Sequence, residues 1–193
     1  MDLSIIIVSW NVREKLETCL KSLFGQVASA TYEVIVVDNA SGDQTPTSVL
    51  NNFPQARLIA NEANLGFAKA VNQGASLGTG NFILLLNPDT QVKEGSLDQL
   101  LAQAKSLAGL GVLGGQIRNP DGTIQLSVRR FPTLAPMLAI ILKLPYLFER
   151  MKAVERYLAT DFDYTKQQEV DQVMGAYFLV PRLVWDQLQG MDE

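Results

Sequence analysis

Four short apolar runs, Leu3 to Ser9, Tyr32 to Asp38, Ala56 to Ala60 and Phe82 to Leu86, recur along the first half of the chain with helical patterns between them. Three of the runs are rich in Ile, Val or Leu, and such unbroken apolar character suits strands buried on both faces. Leu16, Cys19, Leu20 and Leu23 fall at helical spacing, as do Phe67, Ala70, Val71 and Gly74, the latter bounded by Gly66 and Gly78. Strand and helix alternating three times before a fourth strand require right-handed crossovers, and hence a parallel sheet covered by helices. This predicts a Rossmann-like half.

Beyond it, Gly95 to Leu107 reads as a further helix. Val112 to Ile117 and Thr123 to Val128 flank Asn119-Pro120-Asp121-Gly122, whose Asp-Gly step predicts a hairpin. Leu134 to Thr160 reads as helical and partly amphipathic, and Val173 to Val180 as a strand. A Pro-initiated helix, Pro181 to Gln189, follows, with Gly190 placed to cap it. The 193 residues show no internal repeat, low-complexity tract or linker, and a single domain is the expectation.

Composition closes several routes. A net charge of −4, with Lys and Arg scattered, gives no reason to expect a nucleic-acid partner. The one cysteine, Cys19, lies in an apolar helical pattern and reads as a buried structural thiol. With no histidine, Ser-His-Asp and Cys-His catalysis and histidine-ligated zinc are excluded. Leu3 to Val8 follows Met1-Asp2 without a basic segment or cleavage site, which makes it a strand rather than a signal peptide. Leu134 to Phe148 is broken by Pro136, Lys143 and Pro145 and is shorter than the roughly 20 residues that a bilayer span needs. The expectation is a cytoplasmic protein.

In an open parallel sheet, ligands bind beyond the carboxyl ends of the strands. The polar residues gather there: Ser9-Trp10-Asn11 after the first run, Asp38-Asn39-Ala40-Ser41 after the second, Asn61 to Asn64 after the third, and Asn87-Pro88-Asp89-Thr90 after the fourth. Asp38 by itself is equally readable as a helix cap. Asn87-Pro88-Asp89-Thr90 holds a carboxylate between oxygen-bearing neighbours on a proline-stiffened turn, a setting for a hard divalent ion bridged to a diphosphate, or else an ordinary turn. A glycine-rich turn after the first strand, which a dinucleotide-dependent oxidoreductase requires, is missing, and so is a P-loop.

Taken in order, Ile5-Ile6-Ile7-Val8-Ser9-Trp10-Asn11, Val36-Val37-Asp38-Asn39-Ala40-Ser41, Asn64-Leu65-Gly66-Phe67 with Asn72 and Gly74, Leu85-Leu86-Asn87-Pro88-Asp89-Thr90, and Gly175-Ala176 through Gly190-Met191-Asp192-Glu193 resemble the inverting family-2 glycosyltransferases of the GT-A fold, in particular their bacterial rhamnosyltransferase-like branch. The resemblance implies an α/β three-layer sandwich with a mostly parallel central sheet and a small antiparallel portion. It implies one domain, with a nucleotide-binding half over residues 1–90 and an acceptor-side half over 91–193. Ser9 and Asn11 would line the nucleotide pocket, and Asp38 would hydrogen-bond the base of a UDP- or dTDP-sugar donor. The segment from Asn64 through Gly66 to Gly74 would close over the nucleotide. Lys69 would neighbour the diphosphate, or be a solvated helix lysine. Asp89 would anchor Mg2+ or Mn2+, with Asn87 offering a neutral oxygen where many relatives carry a first aspartate.

The chemistry so implied is a single displacement with inversion, in which an acceptor hydroxyl of a saccharide or lipid-linked acceptor attacks the anomeric carbon as the nucleoside diphosphate leaves. Asp192 and Glu193 sit where the family places its acceptor-side acidic loop, as candidate catalytic carboxylates or as a frayed terminus. The family continues into a Glu-Asp-x-Asp-Leu-like motif that supplies the base, and this sequence ends before one. The expectation is therefore a C-terminally incomplete domain that binds donor and transfers sugar poorly. The competing reading is a non-catalytic nucleotide-binding or partner-binding module of the same fold. Arg118, Arg129 and Arg130 flank the hairpin, as phosphate contacts or as solubilising charges. Leu134 to Thr160 mixes apolar residues with Lys143, Arg150, Lys152 and Arg156, which predicts a peripheral contact with the inner face of the plasma membrane or a homodimer, or else a helix packed on its own core.

Overall fold

The computed structural model describes residues 1–144 and 151–193, so Pro145, Phe148 and Arg150 of the expected long helix lie outside the described residues. In chain order the elements are β1 (Leu3–Ser9), α1 (Arg13–Phe24), β2 (Tyr32–Asp38), α2 (Thr45–Asn52), β3 (Arg57–Ala60), α3 (Phe67–Leu77), β4 (Phe82–Leu86) and α4 (Ser96–Ser106). There follow β5 (Leu113–Gly114), β6 (Val128–Arg129), α5 (Leu134–Ile141), α6 (Lys152–Tyr157), β7 (Gln172–Val173), β8 (Tyr177–Pro181) and α7 (Arg182–Leu188). Two compact units result: Met1–Leu113 together with Gly175–Glu193, and Gly114–Met174.

The main sheet has the order β3-β2-β1-β4-β8-β5. Strands β1 to β4 run parallel, and β8 is antiparallel to β4. This is the mostly parallel α/β sandwich expected from the alternating pattern, with its antiparallel portion in β8 and in the separate β6–β7 pair. Because strand side chains alternate between faces, each strand feeds two cores. Ile5, Ile7, Val34, Val36, Leu84 and Leu86 pack with Leu16, Leu20 and Leu23 of α1 and Leu97 and Leu101 of α4. On the other face Ile6, Ile35, Val37, Ile83 and Leu85 pack with Ala70, Val71 and Ala75 of α3. Each fully buried Leu, Ile or Val contributes about 1.5–3 kcal/mol. Helix α3 lies especially close to the sheet at Gly74, where an added Cβ would stand 2.6 Å from Ile6 Cγ2.

Register brings the carboxyl ends of β1, β2 and β3 together. Ser9 lies opposite Asp38, and Asp38 opposite Ala60. The ladder then runs one residue further, with Asn39 N donating to Ser9 O and Asn61 N to Asp38 O. At the opposite edge Ser4 Oγ accepts from Gly80 N and donates to Glu33. There too Arg182 donates to the carbonyls of Ala75 and Gly80, closing the last turn of α3.

Three elements differ from expectation. The Asn119–Gly122 turn forms, with Asn119 N donating to Thr123 O (2.8 Å) and Gly122 N to Asn119 O (2.9 Å), but the strands beside it meet in one bridge, Arg118 with Ile124. Leu113–Gly114 instead joins the main sheet, and Val128–Arg129 pairs with Gln172–Val173. Gly114 permits this, since an added Cβ would fall 2.8 Å from Val173 Cγ1. The expected strand over Val173 to Val180 is divided at Gly175: Met174 N donates to Ser127 O, whereas Ala176 O accepts from Asn87 N in the other sheet. Within Leu134 to Thr160 the described residues form two short helices in place of one long one, α5 stopping ahead of Lys143, whose φ is 54°, and α6 ahead of Ala159, whose φ is 49°.

Candidate functional site

The carboxyl edge of the sheet holds an imbalance in hydrogen bonding. Ser9 and Asp38 are both buried, Asp38 to 1% exposure. Asp38 Oδ2 accepts from Ser41 N at 2.9 Å, a bond within the loop and not a helix cap, since α2 starts only at Thr45. Its Oδ1, and Ser9 Oγ on the neighbouring strand, have no partner. Among the described residues five buried side-chain polar atoms are unpaired, and these are the two that share a register position. Gln26 Oε1, Tyr177 Oη and Arg182 Nη2 are scattered elsewhere. A buried polar atom left bare costs about 1–3 kcal/mol, and here two such atoms belong to register partners at the carboxyl edge of the sheet.

The loops around this pair are built by polar side chains. Asn11, in the left-handed region at φ 55°, donates its backbone N–H to Ser41 Oγ (2.9 Å) and accepts from Gly42 N through Oδ1 (2.8 Å), tying the loops after β1 and β2. Asp43 accepts from Arg13 N at 2.9 Å and from Thr45, fixing the start of α1 against the start of α2. Asn39 is buried and central: its Nδ2 donates to Asn64 Oδ1 (3.2 Å) and Gly66 O (3.0 Å), and its Oδ1 accepts from Asn61 Nδ2 (3.0 Å). Asn61 and Gln73 exchange two further bonds, and Asn64 Oδ1 also accepts from Gly66 N at 2.9 Å. Asn64 and Gly66 thus stand on the loop that enters α3, with Asn64 Oδ1 spent on the loop itself. Gly66 has φ 84°, a conformation that favours glycine. Asn39, Asn61 and Gln73, which sequence reasoning missed as positioning residues, hold that loop; the signal available was the density of Asn after the second and third runs.

Asn87-Pro88-Asp89-Thr90 forms a turn at the end of β4, with Thr90 N donating to Asn87 O at 3.1 Å. Helix α1 braces it. Cys19 Sγ lies 3.8 Å from Asn87 O, and Ser22 Oγ accepts from Val92 N at 3.0 Å. Burial, with a smaller push from the Asp89 charge, drives the Cys19 thiol up to about 12, so this cysteine is a packing group. The Asp89 side chain is 54% exposed, and Lys15 Nζ stands 4.0 Å from its Oδ2. No group of three or more His, Cys, Asp or Glu side chains that could hold a metal occurs among the described residues.

Lys69 is exposed on α3. Asn72, midway along the same helix, donates to Met191 O (2.9 Å) and Glu193 Oε1 (3.1 Å) and accepts from Met191 N (2.9 Å). Gly190 makes this possible: at φ 85°, an added Cβ would meet Asn72 Oδ1 at 2.5 Å. Glu193 is therefore docked on α3 beside an exposed Asp192. In the second unit the three arginines are engaged locally, Arg118 with Gly122 O, Arg129 with Leu126 O and Val128 O, and Arg130 with Arg156 O and Asp161.

The chain is similar to known glycosyltransferases in sequence and in fold. The N-acetylglucosaminyl-diphospho-decaprenol L-rhamnosyltransferase of Mycobacterium tuberculosis (strain ATCC 25618 / H37Rv) is 31% identical over 212 residues, covering 99% of this chain and 65% of that protein. This chain thus spans just under two thirds of that relative's length. The succinoglycan biosynthesis protein ExoO of Rhizobium meliloti (strain 1021) is 31% identical over 104 residues, 53% of this chain and 30% of its own. Among solved structures, S. aureus TarS 1-349 in complex with UDP-GlcNAc matches 69% of this chain and 37% of its own, with 26% identity and a TM-score of 0.55. The mannosyltransferase PcManGT from Pyrobaculum calidifontis in complex with GDP-Man and Mn2+ covers 98% of this chain and 47% of its own, with a TM-score of 0.62, and at 18% identity shares the fold. Residues 4–166 match the model of Glycosyl transferase family 2, and the chain belongs to that family.

Proposed function

We propose that this chain binds a UDP- or dTDP-sugar at the carboxyl edge of its sheet and serves a glycosyltransferase that passes the sugar, with inversion, to an acceptor hydroxyl in cell-surface polysaccharide synthesis. The observation that carries the reading is the unpaired Asp38 Oδ1 beside the unpaired Ser9 Oγ. A uracil or thymine ring offers an N–H to the first and carbonyl oxygens to the second, which would complete both. Asn11 and the Asn64–Gly66 loop flank that position, and Lys69 is the cation of α3 nearest in sequence to it.

Asp89 fits a one-point metal anchor. Its carboxylate is open to solvent, and the cation beside it is the exposed Lys15 ammonium at 4.0 Å, which a divalent ion can displace. One carboxylate does not hold Mg2+ or Mn2+ alone, so the donor diphosphate must provide further oxygens, with Asn87 as a neutral neighbour. When bound, the ion would offset the charge that builds on the leaving diphosphate. The acceptor oxygen forms a bond to the anomeric carbon, the bond to the diphosphate breaks, and the hydroxyl proton passes to a carboxylate, for which Asp192 and Glu193 are the acceptor-side candidates. The named acceptor of the mycobacterial relative supports a lipid-linked saccharide as the acceptor class.

Calorimetry with UDP and dTDP, with and without Mg2+ or Mn2+, tests the reading. Asp38→Ala should weaken nucleoside binding by about 1–3 kcal/mol. Asp89→Ala should remove the part of the affinity that depends on metal. Equal uridine affinity in wild type and Asp38→Ala would overturn the base assignment, and unchanged metal dependence in Asp89→Ala would overturn the metal assignment. A donor-hydrolysis assay on the same samples separates an enzyme from a non-catalytic module of the same fold.

A further inference from the structure

Helix α5 is turned inside out. It buries Pro136 and Ala139 and exposes Leu134 (82%), Leu138 (55%) and Ile141 (73%), which recur at intervals of four and three and so share one helical face. Leu142 at its end and Phe131 just before it are exposed as well, at 63% and 66%. Single exposed apolar residues are ordinary, but five on and beside one short helix form a patch of the kind that marks an interaction surface.

The charge beside this patch is one-sided. Among the described residues from Arg129 to Arg156 there are five basic side chains and one acidic one, in a chain whose net charge is −4. Helix α6 packs against α5 and brings Lys152 and Arg156 alongside, while Lys143 follows the end of α5. Arg130, Lys152 and Arg156, with Glu155, Thr160 and Asp161, line an open depression. Arg130 is committed to Asp161 at 2.8 Å, which leaves Lys143, Lys152 and Arg156 as cations without an ion pair among the described residues.

We propose that this face of the second unit docks on an anionic phospholipid surface, with the α5 side chains seated at the headgroup–acyl boundary and the three cations meeting lipid phosphates. An apolar helix face rimmed by Lys and Arg gains on both counts at such an interface, from buried apolar area and from the negative surface potential. The inference goes beyond the donor site and uses none of its residues.

Vesicle flotation decides it. The protein should bind phosphatidylcholine vesicles containing phosphatidylglycerol, bind pure phosphatidylcholine more weakly, and be released in part by high salt. Combined Leu134→Ser, Ile141→Ser and Leu142→Ser changes should lower the affinity by roughly tenfold or more, because binding scales with buried apolar area. Lys152→Glu with Arg156→Glu should abolish the preference for anionic vesicles. These positions are exposed, so circular dichroism and UDP calorimetry of the same samples should match wild type, and a failure of UDP binding in the wild type would count against the donor reading alone. Absence of wild-type binding to anionic vesicles, or binding that neither variant alters, overturns the proposal. A monomer–dimer equilibrium abolished by the Ser variants, without vesicle binding, would instead assign the face to a second copy of this chain.

Discussion

Asp38 and its neighbour Asn39 divide two tasks between adjacent side chains: one leaves an oxygen bare at the sheet edge, and the other ties down the loop beside it. The strand-end position of Asp38 made it legible as a candidate, because the place where a carboxylate follows a buried run is visible in the sequence. Asn39 was not legible in this way. Its partners Asn61, Asn64 and Gly66 belong to the next crossover, and nothing local says that the two loops meet. Cys19 is legible in the sequence as a buried thiol, and in the structure it also braces the Asn87 turn. With its thiol pushed up to about 12, it should fail to react with a disulfide reagent at pH 8 in the folded protein and react fully in denaturant; rapid labelling of the native chain would contradict its burial. Asp43 gives a pH signature. Partial burial alone would raise its carboxyl, but hydrogen bonds from Thr45 and from Arg13 N outweigh that and hold it below the usual carboxylate range. A depressed native value stabilises the fold above an unfolded value of about 4 and loses that contribution as pH falls through the native one. Asp43→Asn should therefore lower stability near neutrality and flatten the acid limb of a melting-temperature profile; a parallel profile would show that Asp43 is not linked to folding.

At the scale of elements, α3 is the piece on which most depends. It carries the Asn64–Gly66 entry loop at one end, Lys69 on its exposed side, Asn72 at its middle and the Arg182 contact at its last turn. Its closeness to the sheet rests on Gly74. Ala is normally the better helix former by about 1 kcal/mol, yet here the new methyl would stand 2.6 Å from Ile6 Cγ2 and 3.1 Å from Val37 Cγ2. Gly74→Ala should consequently destabilise by about 1–3 kcal/mol, the usual cost of overpacking, and denaturant melts would read it directly. A stabilised variant would mean that the helix can lift from the sheet freely. The parallel strands and their helices were readable because each is a long local pattern of one period. The Asn119–Gly122 hairpin and the strand through Gly175 were less so, since glycines there let short segments choose partners in different sheets. Pairing of that kind is decided by tertiary contacts and leaves no periodicity behind.

At the scale of the whole molecule, the chain leaves its first unit after Leu113 and returns at Gly175 to place β8 beside β4. That return lies in no composition shift or linker; it is a pairing of residues far apart in sequence, Leu84 with Leu179 and Ile83 with Val180. Both Leu179 and Val180 are buried, so β8 is an interior strand. A fragment consisting of Met1–Leu113 alone would leave β4 as a bare hydrophobic edge. It should aggregate or melt without cooperativity and should not bind UDP; a sharp, reversible transition in calorimetry would show that β4 tolerates exposure. The same arrangement sets an order of events on the ribosome. Domains are completed as their residues emerge, yet here the sheet that holds Asp38 and Asp89 waits, partly assembled, while the whole of Gly114–Met174 is synthesised. During that interval the nascent strand β4 has no neighbour on one side and presents Leu84 and Leu85 to whatever is near. The chain therefore has its greatest need of chaperone protection while Gly114–Met174 is being synthesised, before β8 emerges to cover β4.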